Sequence, residues 1–166
     1  MNDSYCIDDA VPPNGGTVNN ILIGKRPKGT YACALIAYIK NEEGSDIVEN
    51  IFDRAVAGDA VVYMSAVNLS EVIYNFRPEK TENEMNVLWQ RIHNLPITIV
   101  REITDNTIDT AAFLKSRSKM SLADSFGLAV AKELGAAFVT SDHSELKPVS
   151  QHEPISFLWL PPRPKK

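Results

Sequence analysis

Four acidic side chains stand where the chain turns from an apolar run toward a helical one: Asp8, Glu71, Asp124 and Asp142. Asp8 follows Tyr5-Cys6-Ile7, and Glu71 lies one turn into the segment after the run from Ala60 to Ser65. Asp124 sits in the first turn of a segment opened by Ser121, and Asp142 comes just beyond Thr140, which closes the run from Ala136. A lone Asp after a strand is ordinarily a helix cap or turn residue. Asp124 alone would also read as a charge complementing a helix N-terminus. Four acids on one edge of one sheet say more. Carboxylates held close together raise one another's pKa unless a cation neutralises them. Their hard oxygens suit Mg²⁺ or Mn²⁺, which keep several waters and activate one against a phosphodiester. Convergence of the four within about 4–8 Å would fit one or two such ions.

Other reactive types do not assemble in the same way. Cys6 and Cys33 form no CxxC pair and the three histidines are scattered, so neither a zinc site nor a disulfide framework is expected. Ser70 and Ser125 lack a base partner that would make them nucleophiles. A pI near 5.4 gives no overall attraction to polyanions. Lys25, Arg26 and Lys28, or Lys115, Arg117 and Lys119, could touch phosphates locally, but solvated loop charges are the plainer reading. His143 beside Asp142 reads as a surface histidine before it reads as a substrate-orienting one.

The elements that must position the acids are short and alternate. Helical spacing marks Ala34 to Lys40, Ile47 to Val56, Asn68 to Phe76, Met85 to Leu95, Thr107 to Arg117 and Leu122 to Leu134. Short apolar runs at 60–65, 97–100, 136–140 and 155–160 read as strands. This alternation predicts an α/β fold, a mainly parallel sheet sandwiched by helices. In such sheets ligands bind beyond the carboxyl ends of the strands.

The N-terminal part differs. Residues 9–31 carry Pro12-Pro13, Gly15-Gly16, Asn19-Asn20, Gly24, Pro27 and Gly29, which predicts an irregular segment with at most one short strand, Ile21 to Ile23. At the other end 161–166 read as a mobile, basic, proline-rich tail. The 166 residues, 44% hydrophobic with a net charge of −4, exclude general disorder and suit a single domain over 1–160. The longest wholly apolar run, Ala32 to Ile39, is far short of the roughly 20 residues of a membrane-spanning helix. With no basic, apolar leader at Met1 to Tyr5, a cytoplasmic location is expected.

Four stretches in order, Ala32-Cys33-Ala34-Leu35-Ile36-Ala37-Tyr38-Ile39-Lys40, Met64 through Val72, Ser121-Leu122-Ala123-Asp124-Ser125-Phe126 and Phe138-Val139-Thr140-Ser141-Asp142-His143, resemble the successive motifs of a PIN domain. They are most similar to the ribonuclease toxins of VapBC toxin–antitoxin modules. The resemblance covers about 32–160. It implies a Rossmann-like sheet and an acid cluster binding Mg²⁺ or Mn²⁺ for RNA cleavage. It implies an antitoxin partner and a homodimer as well. Carried over, the acids are Glu71, Asp124 and Asp142, with Thr140 as the supporting hydroxyl. The helix bearing Met85, Leu88, Trp89 and Ile92, with Ile73 and Phe76 nearby, is a candidate contact face, and ordinary core packing explains it equally well.

The first motif departs from the family, in which a strand ends in an Asp followed directly by a segment like Ala32 to Leu35. Here Tyr31 holds that position. Treating 9–31 as an insertion joins Tyr5-Cys6-Ile7-Asp8 to Ala32 and restores strand, acid and helix. This splice predicts that 9–31 form a poorly packed surface excursion, with Asp8 as the first acid and geometry-sensitive catalysis exposed to disturbance. The alternative is a lost first acid. Two other readings compete: a catalytically dead PIN-like module that still binds its antitoxin, and a receiver-type phosphoacceptor domain. The second would need an Asp closing the third strand and a Lys closing the last.

Overall fold

The computed structural model describes residues 20–24 and 34–161. Tyr5 to Ile7, Asp8, Lys25, Arg26, Lys28, Tyr31 and the tail after Pro161 lie outside the described residues. In chain order the elements are β1 (Asn20–Ile23), α1 (Ala34–Ile39), α2 (Ser45–Ala57), β2 (Val61–Ser65), α3 (Ala66–Phe76) and a 3₁₀ turn (Arg77–Glu79). There follow α4 (Glu82–His93), β3 (Ile97–Val100), α5 (Asp105–Arg117), α6 (Leu122–Leu134), β4 (Ala137–Thr140), α7 (His143–His152) and β5 (Phe157–Trp159). The five strands form one sheet in the order β3-β2-β1-β4-β5. Every neighbouring pair is parallel, with Leu22 opposite Tyr63 on one side and Phe138 on the other. This is the expected α/β architecture, a parallel sheet between helical layers. The chain winds outward from β1 in both directions, so the strand order reverses between β1 and β4, where sheets of this kind bind ligands.

Strand β1 corrects the splice reading for its own part of the 9–31 segment. Ile21, Leu22 and Ile23 are each 0% exposed and hydrogen-bonded on both sides, so these residues are the centre of the sheet rather than a surface excursion. The physical reason is plain in hindsight. A strand buried on both faces must be apolar throughout, and Ile21-Leu22-Ile23 is the one uninterrupted apolar triplet amid the glycine, proline and asparagine.

Each face of the sheet has its own core. On one, Ile21, Ile23, Val62, Met64 and Val139 pack against α1 to α4. On the other, Leu22 and Phe138 pack against Leu114 of α5, Leu128 of α6, and Leu146 and Val149 of α7. Met85, Leu88, Ile92 and Phe76 belong to the first core, so the face considered for a partner is interior. An amphipathic helix beside a sheet buries its apolar stripe there first. The exposed apolar residue of α4 is Val87, on the other side of the helix. Helix α7 had no counterpart in the sequence reading. It has only Leu146 and Val149 as buried anchors and contains Pro148, so its periodicity is faint, and it is held at its start by Asp142. Among the described residues no helix is long and apolar enough to cross a membrane.

Candidate functional site

The carboxyl edge of the sheet gathers the starts of three helices. Ser65 ends β2 and caps α3, its hydroxyl accepting the Val67 amide at 3.2 Å. One turn on, buried Asn68 donates from Nδ2 to the Ala123 carbonyl at 3.1 Å, tying the start of α3 to the start of α6. Glu71 follows a turn later, half-buried, with Oε2 withdrawn from solvent.

Helix α6 starts at the same edge because it runs antiparallel to β4, which follows it. Ser121 caps it: the hydroxyl accepts the Asp124 amide at 3.0 Å and donates to Asp124 Oδ2 at 2.6 Å. Asp124 is wholly buried, so one serine fixes both ends of this residue. Beyond β4, the hydroxyl of buried Thr140 accepts the Asp142 amide at 3.0 Å. Asp142 caps α7 through a single oxygen. Oδ1 accepts the Ser144 amide at 3.1 Å, the Glu145 amide at 3.0 Å and the Ser144 hydroxyl at 2.9 Å. Oδ2 is buried and has no hydrogen-bond partner among the described residues. The capping role expected of a lone Asp after a strand therefore uses half of this carboxylate. The other half is withdrawn from water with no hydrogen bond from any described residue, an arrangement that native structures seldom keep.

At the carboxyl end of β1 the last described residue is a glycine. Gly24 continues the strand, its amide donating to the Val139 carbonyl at 3.0 Å, and a side chain there would run into the ring of Phe138. The topology thus brings Glu71, Asp124, Thr140 and Asp142 to one sheet edge. Among the described residues, however, no group of three or more His, Cys, Asp or Glu side chains is arranged to hold a metal ion. Three of the other candidate side chains are engaged elsewhere. Lys115 donates to the Met120 carbonyl at 2.5 Å, and Arg117 lies 4.5 Å from the centre of the Phe113 ring. The His143 ring stacks on Trp159 at 4.7 Å and Nε2 donates to the Leu160 carbonyl at 2.9 Å. Two residues were missed in the sequence. Asn68 carried a signal, an amide one turn before Glu71 on the same strand-to-helix edge. Gly24 carried one too, since it directly follows the apolar triplet.

The donor set suits a hard divalent cation in a restricted way. Mg²⁺ is ordinarily bound through one or two carboxylates, with waters and substrate phosphate completing the shell. Asp124 and the uncapped oxygen of Asp142 are two carboxylates of the type such an ion takes.

The PIN domain profile matches residues 32–148, more than half of the chain, and the chain belongs to the PIN domain family. The match begins after β1, so the central strand lies outside it. The fold is similar to that of a VapBC2 complex from Rickettsia felis bound to a DNA fragment from their promoter. The TM-score is 0.55 at 14% identity, over 75% of this chain and 90% of that one. It is also similar to a toxin–antitoxin complex from Klebsiella pneumoniae, with a TM-score of 0.51 at 15% identity, over 68% of this chain and 84% of that one. No curated protein matches the sequence.

Proposed function

We propose that this chain is the toxin of a toxin–antitoxin pair, a ribonuclease that hydrolyses RNA phosphodiester bonds at the carboxyl edge between β1 and β4, in the cytoplasm. The observation that carries this reading is the divided carboxylate of Asp142, one oxygen spent on capping α7 and the other buried with no hydrogen-bond partner among the described residues. Membership of the PIN family and a fold shared with toxin–antitoxin complexes support it.

Asp124 and Asp142 would hold the divalent cation, Mg²⁺ or Mn²⁺. When bound, the ion supplies an activated water and neutralises charge developing on the phosphate. The protein's own contribution is positioning. Ser121 fixes the rotation of Asp124, and Thr140 fixes the backbone of Asp142. Asn68 locks α3 to α6 and so sets where Glu71 enters the site, as the group to take the proton of the attacking water. Incubating the purified chain with single-stranded RNA, with and without Mn²⁺, tests the assignment. Cleavage should need the ion and be lost in Asp124→Asn, and cleavage unchanged in that variant would remove the assignment.

An antitoxin is the partner in this reading. A groove between the end of α1 and α4 is lined by Ile39, Phe76 and Val87 and edged by Lys40, Lys80 and Arg91 together with Glu79 and Glu84. Lys40 and Lys80 lie 5.2 and 5.8 Å from the centre of the Phe76 ring. An apolar floor with a rim of both signs, where Lys40 pairs with Glu79 at 3.5 Å, fits an amphipathic segment with charged flanks. A homodimer belongs to the same proposal, and sedimentation showing only monomer would remove it.

A further inference from the structure

We infer that β1 supplies no metal ligand in this chain: Gly24 stands where the acid would be, and the Phe138 ring fills the space its side chain would need. The inference rests on the proposed metal-dependent reading and narrows it to one divalent cation, held from the α6 and β4 side by Asp124 and Asp142.

Strand alternation sets the direction. Ile21 and Ile23 point into the first core and Leu22 into the second, so a side chain at Gly24 would point to the second face as well, the face covered by α6. Phe138 lies on that face of the adjacent strand, opposite Leu22. A Cβ built on Gly24 collides with the end of the Phe138 ring. The far end of a flexible side chain could swing aside, but this ring is 0% exposed and has no room behind it. A Cβ built on Gly127 of α6 would stand 2.7 Å from its Cε2 and 2.8 Å from Asn68 Oδ1. Phe157 meets it edge-on at a centroid distance of 6.0 Å. Nor can the backbone of Gly24 retreat, because its amide is bonded to Val139 of the sheet. The two glycines and the phenylalanine thus form one packing unit: bare backbone on β1 and on α6 makes room for an aromatic ring beneath the acidic edge. Two carboxylates beside a plugged strand end can hold one ion with phosphate and water. A pair of ions, spaced about 3.5–4 Å apart, calls for further carboxylates around and between them.

The test is a cycle of Gly24→Asp, Phe138→Ala and the double variant, read by melting temperature and by calorimetric Mn²⁺ titration. The parent should bind one Mn²⁺ per chain, and two per chain would overturn the inference. Gly24→Asp should melt at least 5 °C lower than the parent and bind Mn²⁺ no more tightly. In the Phe138→Ala background the same substitution should cost less than half that shift and tighten Mn²⁺ binding at least tenfold. Equal costs in the two backgrounds would show that the ring is not the obstacle. Equal Mn²⁺ affinity of the double variant and Phe138→Ala would show that the end of β1 is not beside the ion. If Gly24→Asp does not fold, Gly24→Ala carries the melting arm with the same two outcomes. Absence of Mn²⁺ binding by every chain would overturn the metal reading itself. That result is distinct from a failed cycle, because the melting shifts are measured without metal.

Discussion

Replacing Asp142 by Asn and, separately, by Ala divides the two roles of its carboxylate. Oδ1 receives two backbone amides and a hydroxyl at the start of α7, and an Asn keeps an oxygen for them. Asn and Asp are about equal as helix caps, so Asp142→Asn should cost no more than about 0.5–1 kcal/mol, the part owed to lost charge at the helix start. Asp142→Ala removes the acceptor altogether and should cost about 1–2 kcal/mol. At this chain length that is a fall in melting temperature of roughly 2–8 °C. Catalysis should divide differently. Both variants lack the charged Oδ2, so both should lose Mn²⁺ affinity and RNA cleavage by at least about a hundredfold, a loss of about 2.7 kcal/mol. Thermal melts without metal, Mn²⁺ titration and cleavage of a labelled single-stranded RNA make the three measurements. An Asn variant that cleaves as well as the parent would refute the role of the buried oxygen. An Asn variant that melts as low as the Ala variant would refute the division of labour.

Three further outcomes follow from the same contacts. Asn68→Ala removes the bond to the Ala123 carbonyl between two helix starts and should cost about 1–3 kcal/mol in urea unfolding, so a stability equal to the parent's would show the link to be idle. Glu84 accepts the Thr81 amide and hydroxyl, which hold its carboxyl below the ordinary value of 4.5. A lowered folded-state pKa stabilises above the ordinary value and loses that stabilisation as pH falls through the lowered one. The melting-temperature gap between the parent and Glu84→Ala should therefore narrow between about pH 6 and pH 3, and a constant gap would refute the cap's charge dependence. Val87, 55% exposed on the groove, should tolerate Glu with stability within about 0.5 kcal/mol. Antitoxin co-purification should nevertheless weaken in Val87→Glu, and unchanged co-purification would move the interface elsewhere.

Much of the fold was legible because its signals are local. Ser121 before Asp124, and Gly58 and Gly135 past the ends of α2 and α6, mark helix boundaries that the structure keeps. The central strand was harder to place, because its identity depends on partners in distant β2 and β4 rather than on its own neighbours. A three-residue apolar triplet surrounded by turn-formers reads as one short strand in an irregular segment, and only the closed sheet shows it to be the central one. The site divides along the same line. Glu71, Asp124 and Asp142 are candidates drawn from strand-to-helix edges, whereas the collision of Phe138 with the place of a side chain at Gly24 joins residues more than a hundred positions apart. No spacing rule carries that contact. Asp142 shows the converse: the helix-cap expectation and the functional one were set against each other, and its two oxygens allow both.

The most direct test of the central claim is to titrate Mn²⁺ into the metal-free protein while following both calorimetric binding and the rate of single-strand RNA cleavage. Cleavage should rise with occupancy of one site, with coincident midpoints, and Asp124→Asn should abolish both curves while the protein stays folded. Cleavage that persists in excess chelator, or that survives in Asp124→Asn, would contradict it.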